Sequence, residues 1–223
     1  MSVGIKLIGE TPLPTEFGGW TYIVFEEVKT HKLHTLIVHK RLADITKHPN
    51  NVLVRIHSAC ASSELFHANN CECREELEEA MKRIKRNGRG IIVYLDQEGA
   101  GNGIAVKLMV YSKTFGWKNG QVVKKKDPKT KKNIDMYKIY EKLGYDKEAR
   151  TFEVAAEMLK YVGVKSVRLM TNNPKKVECV EQYGIPATPM SIHIKPKNRI
   201  MSEHLRSKAV NLGHKIGNQH IKM

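Results

Sequence analysis

Apolar and polar positions alternate along the first fifty residues in a way that predicts strands. Trp20 to Val28 (WTYIVFEEV) and Leu33 to His39 (LHTLIVH) are rich in β-branched and aromatic residues, and the polar Lys29 to Lys32 separates them. The spacing predicts a β-hairpin within a β-rich part covering residues 1–50. Val52 to Ser58 (VLVRIHS) and Ile91 to Leu95 (IIVYL) predict two more strands, the second a short apolar run suited to burial on both faces. Between them the period changes. In Cys73 to Gly88, Leu77, Met81 and Ile84 recur at steps of three and four and the segment stops at Asn-Gly, which predicts a helix with a glycine stop.

From Gly103 a second helical pattern carries Ile104, Leu108 and Tyr111, and Phe152, Ala155, Ala156 and Leu159 mark a third. Val167 to Met170 is short and β-like. Thr171, Asn172, Asn173 and Pro174 then supply capping side chains and a proline suited to a helix start. The stretch from Met201 to Gly217 predicts a terminal helix with Gly213 near its end. Strand, turn and helix alternate from about residue 52 to 190, which predicts an α/β fold. With no internal repeat, one catalytic unit over 1–223 is expected rather than two domains.

Charge and cysteine usage narrow the function. Lys and Arg outnumber Asp and Glu by 38 to 23, a formal charge of +15, so anions such as nucleotides, phosphates or nucleic acid are the expected partners. Much of the excess lies in Lys118 to Lys132, read as a lysine-rich, solvated insert loop, with a phosphate-facing lid or nucleic-acid contact as the alternatives. The opening residues lack a basic segment leading into an apolar one, and no run is apolar for the length of a membrane span. Four cysteines, three of them clustered, do not form the paired framework of a secreted mini-protein, so a cytoplasmic location is expected.

The cluster is Cys60, Cys71 and Cys73. The last two form a C-x-C pair at the mouth of a helix, where exposed N–H groups and the macrodipole favour thiolate, and Cys60 arrives from a strand end. Three thiolates match a catalytic zinc, which keeps its fourth position for a water that ionises near neutral pH. Two other readings stay open: small buried core residues, or a four-ligand structural zinc completed by His57 or His67.

VRIHSAC followed after ten residues by C-x-C, then GRGIIVYLDQEG, VRLMTNNPKK and SEHLRSKAVNLGH, occur in this order over roughly residues 50–214. Together they resemble the GTP cyclohydrolase II family, zinc hydrolases that open the imidazole ring of GTP at C8 in the first step of riboflavin biosynthesis. The resemblance implies a mixed sheet with flanking helices and an N-terminal β-hairpin region. It implies Cys60, Cys71 and Cys73 as ligands of one Zn²⁺ per chain, and Arg55, Ser58, Glu98, Gly99, Thr171 and Lys176 as nucleotide-binding residues. It implies that Tyr111 assists ring opening, with Glu148 as proton acceptor and Arg150 as the nucleophile that attacks phosphorus. Release of formate and pyrophosphate, Mg²⁺ on the triphosphate, and a homodimer are implied as well.

The chain departs from the family pattern at three places. Ala100 stands where the family's Gln-Glu-Gly-Arg loop has an arginine, Met136 where a threonine is usual, and Glu148 where an aspartate is usual. The lysines of the insert, Lys124 to Lys126 in particular, are the expected replacement for the missing guanidinium. A relative acting on another purine nucleotide, or stopping at the formamidopyrimidine, is one alternative. A zinc-stabilised nucleic-acid-binding protein without catalysis is the other, and no RNA-recognition motif or zinc-finger spacing favours it.

Overall fold

The computed structural model describes residues 3–216. Its strands are β1 (Ile5–Thr15), β2 (Gly18–Glu27), β3 (Leu33–His39), β4 (Val52–Ser58), β5 (Ile91–Leu95), β6 (Phe115–Lys118), β7 (Gln121–Lys124), β8 (Val167–Met170) and β9 (Ala187–Met190). Its α-helices are α1 (Leu42–Lys47), α2 (Ala61–Glu64), α3 (Cys73–Asn87), α4 (Gly103–Thr114), α5 (Met136–Lys142), α6 (Glu153–Tyr161), α7 (Pro174–Gln182) and α8 (Arg199–Leu212). Seven strands make one mixed sheet in the order β1-β2-β3-β5-β4-β8-β9. The first three form an antiparallel meander joined through β3 to β5, and β5, β4, β8 and β9 run parallel. This is the α/β class with an N-terminal antiparallel part that the sequence predicts.

Alternation along the central strands decides which residues meet which helix. Val52, Val54 and Ile56 of β4 and Ile91, Val93 and Leu95 of β5 share one face with Val154, Ala155, Met158 and Leu159 of α6. Leu53 and Ile92 point the other way and pack against Ala80 and Ile84 of α3. Arg55 and His57 fall on that second face by the same period, so two polar groups are carried under α3 rather than into the aliphatic layer. The helix stops match the glycine signals: Gly88 follows α3 with φ 77° and Gly213 follows α8 with φ 67°. The last position of the predicted terminal helix, Gly217, lies outside the described residues.

Three elements differ from expectation. β1 holds Pro12, Pro14 and Gly9, residues that argue against an interior strand, and it occupies the sheet edge where a missing N–H costs nothing. The lysine-rich insert is not a plain loop: β6 and β7 pair antiparallel, with Lys118 opposite Gln121 across Asn119 and Gly120. Both turn residues have positive φ, 50° and 72°, as a two-residue hairpin turn with an Asn-Gly centre requires. The cap of α7 is Asn173, whose side chain accepts the Lys175 N–H, while Thr171 Oγ1 accepts the N–H of Asn173 one step earlier.

Candidate active site

The ends of β4, β5 and β8 lie side by side, since Ser58 pairs with Leu95 and Val54 with Leu169 in parallel register. The chain segments leaving them therefore converge at the carboxyl edge of the sheet, where parallel α/β sheets place their sites. Cys60 leaves β4. Its backbone N–H donates to Glu64 Oε1 (3.1 Å), and the same carboxylate pairs with His57 Nε2 (2.9 Å) and accepts the Tyr94 hydroxyl (2.6 Å), which stakes the loop to the sheet.

Cys71 and Cys73 enter from the start of α3. The three Sγ atoms lie within 4.8 Å of one another, and Cys60 and Cys71 are 3.7 Å apart. Tetrahedral coordination with Zn–S bonds of about 2.3 Å puts two sulfurs roughly 3.8 Å apart, so this triangle fits a zinc ion. No histidine nitrogen joins the group among the described residues, and His57 is committed to Glu64, so the cluster offers three protein ligands rather than four. Hydrogen bonds from Cys71 and Cys73 hold the Cys60 thiol far below its ordinary pKa, whereas the contact with Cys60 pushes Cys71 up to about 12. Three sulfurs this close cannot all be anionic by themselves, and a divalent cation between them removes the conflict.

The loop after β5 forms the opposite wall. Glu98 is anchored at both oxygens: Oε2 accepts the Ala61 N–H (2.7 Å), and Oε1 accepts both the Gly99 N–H (2.9 Å) and the Lys107 ammonium (2.7 Å). Lys107 also reaches Cys60 Sγ at 3.3 Å. Burial opposes its charge, yet Tyr111, Cys60 and Glu98 outweigh that and raise its pKa. Gly101, with φ +90°, lies so near Ala149 that an added Cβ would come within 2.6 Å of its carbonyl carbon. That approach lets the Ala149 N–H donate to the Ala100 carbonyl (2.9 Å), which docks the segment carrying Arg150 against the loop.

A cleft open at its mouth is bounded by Ser58, the three cysteines, Glu98, Gly99, Tyr111 and Arg150, with Ala100, Lys107 and Met136 beside them. A second cavity adjoins it through Ser58, Cys73, Arg150 and Lys208, and is lined by Arg55, Thr171 and Lys176. Arg55 is held by Glu76 (2.5 Å) and the Met170 carbonyl (3.1 Å), and Lys176 by the Ile56 carbonyl (2.9 Å). Burial, with Arg55 and Arg150 nearby, drives the Lys176 pKa well down. Arg55 Nε, His57 Nδ1, Ser58 Oγ, Asn173 Nδ2 and His214 Nε2 line this cavity without a partner among the described residues. Each such atom costs about 1–3 kcal/mol when dry, so the cavity suits a polar, anionic guest.

The sequence-predicted residues thus gather around two connected spaces, with one exception. Glu148 lines neither. Its carboxylate receives Arg150 through Nε (2.5 Å) and Nη2, so it backs the guanidinium instead of facing the cleft. The lysines of the insert also stay away: Lys124 pairs with Glu203 at 3.2 Å and Lys125 donates to the Ser112 carbonyl. The cations at the cleft are Lys107, Arg150 and Lys208 instead.

Sequence reasoning missed Lys107, Glu72, His204 and Lys208. Lys107 left a signal, as the lone charge in the apolar run from Ile104 to Tyr111. The other three form a buried group in which Glu72, between two cysteines, receives His204 Nδ1 (3.0 Å) and the Lys208 ammonium from α8. Their separation along the chain left no signal.

Comparison with known proteins agrees with the motifs. The family model described as GTP cyclohydrolase II matches residues 6–190. The chain is 35% identical over 215 residues to GTP cyclohydrolase-2 of Haemophilus influenzae (strain PittEE), covering 95% of this chain and 89% of that protein. It is 33% identical over 212 residues to GTP cyclohydrolase-2 of Tolumonas auensis, covering 95% and 98%. With the riboflavin biosynthesis protein RibBA of Endomicrobium trichonymphae it shares 32% over 213 residues and spans 48% of that longer protein. A solved structure, RibBX, a two domain 3,4-dihydroxy-2-butanone 4-phosphate synthase from A. baumannii, aligns at 13% identity with a TM-score of 0.37 over 75% of this chain and 34% of that one, too distant to carry an argument. On the extent of the family match and the identities along nearly the whole chain, this protein belongs to the GTP cyclohydrolase II family.

Proposed function

We propose that the chain is a zinc-dependent hydrolase that opens the imidazole ring of GTP at C8 and releases formate and pyrophosphate, as the opening reaction of riboflavin biosynthesis. The observation that carries the reading is the Cys60, Cys71 and Cys73 triangle in a cleft whose other walls carry the family's nucleotide motifs. A zinc ion held there supplies the Lewis acidity that makes water nucleophilic at neutral pH.

The protein's own groups divide the remaining work. Burial raises the Tyr111 pKa, so its phenol stays protonated and serves as a hydrogen-bond donor to the opening ring. Arg55 and Arg150 form the cationic wall for the phosphates, with the Lys176 amine beside them as a hydrogen-bond donor, and Glu148 aims the Arg150 fork rather than acting as a free base. Ser58, Glu98, Gly99 and Thr171 hold the nucleotide through short polar contacts and fixed loop geometry. Mg²⁺ accompanies the triphosphate and offsets its charge.

Two further parts of the reading concern assembly and location. Ile104, Leu108 and Met109 of α4, with Leu65 and Phe66, are large apolar side chains left exposed, a face suited to the second copy of a homodimer. Four free cysteines suit the reducing cytoplasm, and no helix among the described residues is long and apolar enough to cross a membrane.

A second reading is supported by Ala100 and Met136, which both line the cleft where the family carries an arginine and a threonine. On that reading the substrate is another purine nucleotide, or the reaction stops at the formamidopyrimidine. Mass spectrometry of the products formed from GTP with Zn²⁺ and Mg²⁺ decides between them. The main reading expects a diaminopyrimidinone ribosylamine monophosphate with free formate and pyrophosphate. A formylated or triphosphate product selects the second reading, and unchanged GTP rejects the first.

A further inference from the structure

We infer that His204, oriented by Glu72, carries the proton between the attacking water and the departing ring nitrogen, an inference that rests on the ring-opening reading above. Helix α8 presents His204 and Lys208 one turn apart, and both engage Glu72. Glu72 is 1% exposed, and its two carboxylate oxygens are taken up by the Lys208 ammonium and by His204, so a buried cation stands against it. An ionised carboxylate only accepts hydrogen bonds, so the nitrogen 3.0 Å from it, Nδ1, is the protonated one. Nε2 is then a lone-pair acceptor. It has no hydrogen-bond partner among the described residues, and the ring lines the same cleft as the three cysteines, stacked on Tyr137 at 6.4 Å between centroids and 17° between planes.

Elimination points to the same atom. Among the described groups on the cleft wall, Glu98 is tied to Ala61, Gly99 and the Lys107 ammonium, the three thiols are the candidate metal ligands, Tyr111, Tyr137 and Tyr140 are phenols that donate rather than take a proton at neutral pH, and Lys107, Arg150 and Lys208 are cations. Glu64 and Glu148 lie off the wall and are committed to His57, Tyr94 and Arg150. His204 Nε2 is the uncommitted base. A carboxylate that fixes one imidazole nitrogen and leaves the other free to take a proton is the arrangement used for general-base catalysis elsewhere. In the step, a water oxygen bonds to C8 while one of its protons passes to Nε2 and the C8–N7 π pair withdraws onto N7. The C8–N9 bond then breaks with its electron pair on N9, the C8 hydroxyl becomes the formyl carbonyl as its proton passes to N7, and the imidazolium returns its proton to N9. One water is consumed, nothing is oxidised, and His204 ends as it began.

The test compares His204→Asn with wild type, because the Asn carboxamide can still donate to Glu72 but offers no base in place of Nε2. The expected result is unchanged zinc content, a KM within about threefold, and kcat lower by roughly 10²- to 10⁴-fold. In His204→Gly, added imidazole should restore part of the turnover. A purely structural His204 predicts near-wild-type kcat in His204→Asn and no rescue, and that outcome overturns the inference. Independently of turnover, ¹⁵N-histidine NMR of the wild-type protein should show His204 protonated at Nδ1 and bare at Nε2, and an Nε2–H tautomer rejects the assignment. Failure of the ring-opening reading shows separately, as wild-type protein that leaves GTP unchanged, and the tautomer still decides the state of His204.

Discussion

The Lys208 ammonium, on the last helix, donates to the carboxylate of Glu72, the residue that separates Cys71 from Cys73. The C-terminal helix therefore holds the backbone between two candidate metal ligands from behind. Breaking a buried pair by removing one partner leaves an uncompensated charge. Lys208→Met is expected to lower stability by about 3–5 kcal/mol and to weaken zinc retention, as read by urea denaturation and metal analysis. Adding Glu72→Gln to that variant should recover part of the loss; a double mutant no better than Lys208→Met speaks against the pairing.

Gly101 offers a test of how Arg150 is positioned. With φ +90° and an added Cβ only 2.6 Å from the Ala149 carbonyl carbon, Gly101→Ala must push residues 149–150 off the loop. A displacement near 1 Å costs on the order of 10²-fold in rate. The expected outcome is a kcat/KM lower by about that factor with zinc content unchanged, and wild-type kinetics in this variant would refute the docking argument.

Charge reversal in the β6–β7 region separates local from distant cations. Lys124 is tied to Glu203 and Lys125 to the Ser112 carbonyl, and no lysine from Lys118 to Lys132 lines the cleft. Replacing Lys118, Lys126 and Lys129 by Glu should leave KM for GTP within about twofold at physiological salt, where exposed charges are screened beyond about 8 Å. Lys107→Met should impair turnover strongly. A large rise in KM in the triple variant would return the compensating role to the insert.

Stability should fall on mild acidification. His34, His57 and His214 all have pKa values pushed below their ordinary 6.5 chiefly by burial, and His214 down to about 2. Below about pH 6.5 the unfolded chain binds protons that the folded chain refuses, so unfolding becomes easier as pH drops. Each such histidine contributes up to about 1.4 kcal/mol per pH unit until its folded pKa is reached. Calorimetric Tm should decline between pH 7 and 5, less steeply in His214→Gln, and a Tm that rises over this range contradicts the argument.

Local signals made much of the architecture legible. The strands from Val52 and Ile91, the glycine stops at Gly88 and Gly213, and the cysteine triplet at a strand end and helix start are all short-range patterns. Asn119-Gly120 was a hairpin signal as well, masked by the lysines on either side. β1 escaped because proline is tolerated at a sheet edge, and edge position is a property of the assembled sheet. The Glu72, His204 and Lys208 group escaped for a stronger reason: its members lie 132 and 136 residues apart, and only the packing of α8 brings them together.

Zinc in the cysteine triangle is the element on which the proposed chemistry depends most directly. Elemental analysis of the protein purified without chelator or added metal should find one zinc per chain, and Cys71→Ser should lose both the zinc and the turnover of GTP. Wild-type protein that opens the ring of GTP while holding no zinc contradicts the account.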